Sequence, residues 1–88
     1  MPATRNEIAK FLTEDNGFTR GEKWLVKMQY RRIIHCGNFE EKLWELICAA
    51  DDMNRVKLSI EFPEEVRAYE AWVYRDLGDR IRATGLNI

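Results

Sequence analysis

Three helix-start motifs constrain the fold of this chain more than any other feature. Thr4-Arg5-Asn6-Glu7, Thr19-Arg20-Gly21-Glu22 and Asn38-Phe39-Glu40-Glu41 each place a capping side chain three residues ahead of a glutamate. In that arrangement the cap oxygen accepts from an orphan amide of the first turn, and the glutamate accepts from the cap residue's own N–H. Each motif is followed by apolar residues at helical spacing. Stops match the starts: Asn16-Gly17 after the first segment, Gly37 after the second and Gly85 after the last. A chain punctuated in this way is expected to be all-α.

Periodicity fills in the segments. The first helix is expected over residues 4–15, burying Ile8, Phe11 and Leu12. The second, over residues 20–36, is apolar on two arcs, with Trp24, Leu25, Met28 and Cys36 on one and Val26, Tyr30 and Ile33 on the other. A helix apolar on two sides usually has neighbours on both, so this one is expected to be central. The third, over residues 39–50, carries Phe39, Leu43, Leu46, Ile47 and Ala50. The last, over residues 63–84, opens on Pro63-Glu64-Glu65, closes with Arg80 and Arg82, and is expected to bury Val66, Tyr69, Val73, Leu77 and Ile81. The expected architecture is a compact antiparallel bundle of four main helices, with a short helical or extended segment before the last.

Residues 55–62 admit two readings. Val56, Leu58, Ile60 and Phe62 alternate with Arg55, Lys57, Ser59 and Glu61, which is the period of a half-buried strand. A lone strand has no neighbour in this chain for its ladder hydrogen bonds and would need a second copy. A short helix capped near Asp52 and turning at Phe62-Pro63 is therefore favoured.

The 88 residues, 45% apolar and 33% charged, suit one globular domain. No apolar run spans a bilayer, and the first residues lack the basic and apolar regions of a signal peptide, so a cytoplasmic protein without membrane contact is expected. Cys36 and Cys48 lie too far apart across the turn to pair. With one histidine and no CxxC they form no zinc site. Both are expected to be buried thiols in a reducing compartment, and no cofactor is expected.

The net charge of −1 conceals a dipolar hairpin. Residues 18–37 hold five cations against one anion, whereas residues 38–54 hold five anions against one cation. Arg20, Lys23, Lys27 and Arg31 recur at spacings of three, four and four, forming one ridge between the apolar arcs of the second helix. The ridge either pairs with the acidic segment that follows or grips an acidic partner. Trp72 and Trp44 lie off their helices' main stripes. Trp44 is expected in the core, and Trp72 is a second candidate contact for a partner. Ser59 is the only serine, His35 the only histidine, and no glycine-rich phosphate loop is present, so catalysis is not expected.

Ala50-Asp51-Asp52-Met53-Asn54-Arg55-Val56-Lys57-Leu58, followed by Phe62-Pro63-Glu64-Glu65-Val66-Arg67-Ala68-Tyr69, resembles small uncharacterised helical proteins of bacteriophages and mobile elements. The resemblance implies an intracellular accessory or host-modulating protein and favours the helical reading of residues 55–62. It transfers no functional residues. The expected function is a non-enzymatic interaction protein with a protein partner, bound through Arg20, Lys23, Lys27, Arg31 or Trp72. A nucleic-acid-binding regulator using the basic second helix is the alternative, and self-association into a homodimer is also expected.

Overall fold

The computed structural model describes residues 3–88, and the described residues form six helices and no strand. They are α1 (Arg5–Thr13), α2 (Arg20–Gln29), α3 (Asn38–Ala49), α4 (Asp52–Glu61), α5 (Pro63–Tyr74) and α6 (Leu77–Arg82). The chain is all-helical, as the capping motifs imply. Two of the three motifs close as full capping boxes. Thr4 Oγ1 accepts from the Glu7 amide at 3.2 Å, Thr19 Oγ1 accepts from the Glu22 amide at 3.1 Å, and each glutamate accepts in return from its cap's N–H. The third does not form. Gly37 is the N-cap of α3, so Asn38 is already helical and its side chain caps nothing. α4 supplies a cap instead, with Asp51 Oδ1 accepting from the Asn54 amide at 2.8 Å.

α2 is central, contacting α1, α3 and α5, while α5 contacts α2, α3, α4 and α6. The core is built from Leu25, Val26 and Met28 of α2, Val66 of α5 and Leu77 and Ile81 of α6, together with Ile8, Phe11 and Ile47. At the mouth of this contact a Cβ on Gly21 would stand 2.3 Å from the Glu64 carbonyl oxygen. The absence of a side chain there lets the start of α2 approach the start of α5 backbone to backbone.

Two helices end earlier than periodicity implies. α2 stops at Gln29 rather than continuing to residue 36. The Tyr30 amide is shared between the Val26 oxygen, its ordinary helical partner, and the Lys27 oxygen, a tighter turn; the Met28 oxygen accepts from the Arg31 side chain at 2.7 Å, and the Cys36 thiol approaches the Lys27 oxygen at 3.8 Å. The long last helix is broken at Arg75-Asp76 into α5 and α6. The break swings Leu77 and Ile81 fully into the core and leaves Val73, expected inside, about half exposed. Phe39 and Leu46 on α3 are likewise exposed, Leu12 and Tyr69 are only partly buried, and Cys48 is exposed whereas Cys36 is buried. Residues 55–61 belong to a helix, and Phe62 is its C-cap. Leu58 and Phe62 turn inward and Val56 and Ile60 outward, which is how a two-sided helix imitates strand alternation.

Gly21→Ala is expected to destabilise the fold by about 1–3 kcal/mol, because the new methyl meets backbone that cannot swing away. Gly37→Ala, which meets nothing within 4 Å, is expected to have a much smaller effect. Urea midpoints of the two variants measured side by side check this.

Candidate interaction surface

The basic ridge is engaged within the chain. Arg20 Nε lies 2.6 Å from Glu64 and its Nη1 3.3 Å from Glu65, so it reaches the start of α5 rather than the acidic hairpin. Glu65 is buried, and its charge raises the Arg20 pKa above the ordinary arginine value, with Glu64 adding to the effect. Lys23 donates to the Glu14 carbonyl at 2.7 Å, which ties α2 to the loop after α1. Lys27 pairs with Glu40 at 2.9 Å, and among the described residues this contact alone joins a ridge cation to the acidic segment that follows. Arg31 caps its own helix.

Glu22 performs two tasks. Besides closing its capping box, it accepts from Arg80 and so ties the start of α2 to α6. Partial burial pushes the Glu22 carboxyl up, but the Thr19 amide and the Arg80 guanidinium outweigh that and hold it below its ordinary value.

Trp72 is partly buried against the core, and its ring lies over Gly78, where a Cβ would come within 3.3 Å of Cζ3. The fold-back of α6 therefore covers much of it. Trp44 is buried, edge-on to Trp24 at 5.8 Å and to Tyr69 at 6.1 Å between centroids. Arg55 stacks over the Tyr69 ring at 4.8 Å, donates to the Ala50 carbonyl at 2.6 Å and pairs with Asp52 at 3.2 Å.

Arg55 matters because α4 has no fully buried residue. The helix is held on α5 largely by one guanidinium and the partly buried Leu58, while its opposite side is apolar. Met53, Val56 and Ile60 fall within about 60° of arc at ~100° per residue and point to solvent. Phe39 and Leu46 on α3 are exposed as well, and these five side chains are 54–73% accessible. A cleft of about 340 Å³ separates the two helices, lined by Leu46, Ala49 and Ala50 on one side and Asn54, Lys57 and Leu58 on the other. Phe39 packs on Phe62 at 6.1 Å. Monomers rarely leave large apolar patches uncovered unless something binds there. None of these residues was a sequence-level candidate: Phe39 and Leu46 read as core, and the outward set on α4 was hidden in an apparent alternation. The i, i+3, i+7 spacing of Met53, Val56 and Ile60 was the signal that could have found it.

A second cleft, of about 330 Å³, lies between α2, α5 and α6. Arg67, Arg75 and Arg80 line it against Glu22, Glu64 and Asp76, so its lining carries no net formal charge. Among the described residues no group of three or more His, Cys, Asp or Glu side chains is placed to hold a metal ion, and no helix is long and apolar enough to cross a membrane. Comparison with protein-family models, curated proteins and solved structures finds no match to this chain.

Two outcomes follow from this geometry. Since the folded-state pKa of Glu22 is depressed, its stabilisation is present above the unfolded carboxylate range near pH 4.3 and is lost as pH falls through the folded value. Glu22→Gln should therefore cost about 1 kcal/mol at neutral pH and make the acid-side fall in melting temperature shallower, readable by thermal scans across pH. Arg55→Ala should leave most of the fold intact but speed amide exchange across α4 at least tenfold relative to α2, measured by hydrogen–deuterium exchange.

Proposed function

We propose that the protein is a small, non-enzymatic, cytoplasmic docking protein that binds a protein partner through the apolar surface of α3 and α4. One observation carries this reading: α4 turns Met53, Val56 and Ile60 to solvent while burying no residue of its own. A helix laid on a domain by its polar and half-apolar side, with its apolar side outward, is arranged to receive another apolar surface. Phe39 and Met53 among the exposed side chains are of residue types enriched at protein interfaces. Arg20, Lys23, Lys27, Arg31 and Trp72 are weaker candidates, since their contacts are already made inside the chain. A nucleic-acid-binding role for α2 would require the ridge cations to exchange those partners for phosphates. A host-modulating role, as the phage-type resemblance implies, is compatible with such a docking protein.

Capture of binding proteins from extract of the producing cells, on immobilised chain, tests the reading. The double variant Met53→Glu/Ile60→Glu should keep the parent far-UV circular dichroism and retain at least tenfold less of the partner, a loss of about 1.4 kcal/mol or more. Lys23→Ala/Lys27→Ala should retain it. The opposite pattern, with steep loss as salt rises, would move the interface to the ridge.

A further inference from the structure

We infer that the surface of α4 docks a second copy of this chain, the two α4 helices lying parallel across a two-fold axis. Such a dimer presupposes the docking role proposed above and names the occupant. The spacing of Met53, Val56 and Ile60 is that of a, d and a positions in a heptad, the narrow seam along which two helices pair. On that assignment Asp52 takes the g position and Lys57 the e position. In a parallel pair a g residue faces the e residue five positions on in the other helix, so Asp52 of each copy meets Lys57 of the other, giving two ion pairs of opposite charge. An antiparallel pair would instead bring Lys57 against Lys57. The charges flanking the seam therefore fit a second copy in one orientation.

Both flanking groups are available. The Lys57 side chain is exposed and makes no hydrogen bond or ion pair among the described residues. The Asp52 side chain is 96% exposed, and its pairing with Arg55 at 3.2 Å uses Oδ1. Opposite charges at these positions select partner and orientation more than they add affinity. The ten residues of α4 span about 15 Å, so the seam covers less than the roughly 800 Å² per partner of a standard interface, and the dimer is weak. A dissociation constant on the order of 100 µM is expected.

Sedimentation equilibrium of the 88-residue chain from about 10 µM to 1 mM, a range spanning that constant, reads this directly. The parent should pass from monomer to dimer. Lys57→Asp and Asp52→Lys should each weaken self-association at least tenfold, with unchanged circular dichroism. An equimolar mixture of the two variants should dimerise again, because each copy then supplies the charge the other lacks, and this rescue cannot arise from misfolding. Ile60→Glu should abolish the dimer. A parent that stays monomeric at 1 mM, a dimer indifferent to Ile60→Glu, or a mixture that does not recover would each overturn the inference. A monomeric parent whose α4 double variant still loses captured protein would remove the second copy and leave a foreign protein as occupant. A monomeric parent with undiminished capture would remove the docking reading as well.

Discussion

The backbone approach of α2 to α5 is the contact on which the rest of the structure depends. Two neighbouring residues make it and a third extends it to α6. Gly21 lets the chain come within reach of the Glu64 carbonyl, Arg20 draws in Glu64 and Glu65, and Glu22 holds Arg80 of α6. With the start of α5 placed there, Val66 enters the core and Tyr69 reaches Trp44 of α3. The same ring then receives Arg55 of α4. A short chain has little apolar area to spend, so a close helix–helix crossing near one end organises several neighbours at once.

Electrostatics serves assembly in this protein more than display. Each exposed ion pair contributes little by itself. Arg20 is the exception in kind, because Glu65 is buried and removing its counter-charge would leave a carboxylate poorly solvated. Lys27 and Glu40 bring the ends of α2 and α3 together across the turn, as the hairpin's opposed charges suggest. The other ridge residues find nearer partners: Arg20 the carboxylates at the start of α5, Lys23 the Glu14 carbonyl at the end of α1, and Arg31 the Met28 carbonyl near the end of α2.

α4 stands apart in how it is held. Its inner side offers Leu58 and the Arg55 stack, and its outer side offers an apolar seam to water. Leaving such side chains exposed forgoes about 25 cal/mol for each Å² that could have been covered. Local stability should be lowest where few apolar contacts are made, so α4 is the helix best able to adjust to a docked partner.

Helical class, the existence of most helices, and the thiols' failure to pair were written in the sequence, because caps, glycine stops and apolar periodicity are local and act before any tertiary contact forms. Thr4, Thr19, Ile8, Phe11, Leu77 and Ile81 behave as their spacing implies. Where helices end and which apolar face is covered were decided only by the tertiary structure. Ile33 and Cys36 fit the helical period of α2, yet the helix ends at Gln29, where the turn tightens at Tyr30 and the Arg31 and Cys36 side chains reach the Met28 and Lys27 carbonyls. Val73 fits the stripe of the last helix, yet the break at Arg75-Asp76 placed Leu77 and Ile81 in the core at its expense. Phe39, Leu46, Met53, Val56 and Ile60 are as apolar as the core residues, and periodicity gives each helix a face without saying whether this chain supplies the neighbour to bury it. Coverage depends on how many helices can crowd around α2 and α5, a matter of shape and volume that no local pattern records.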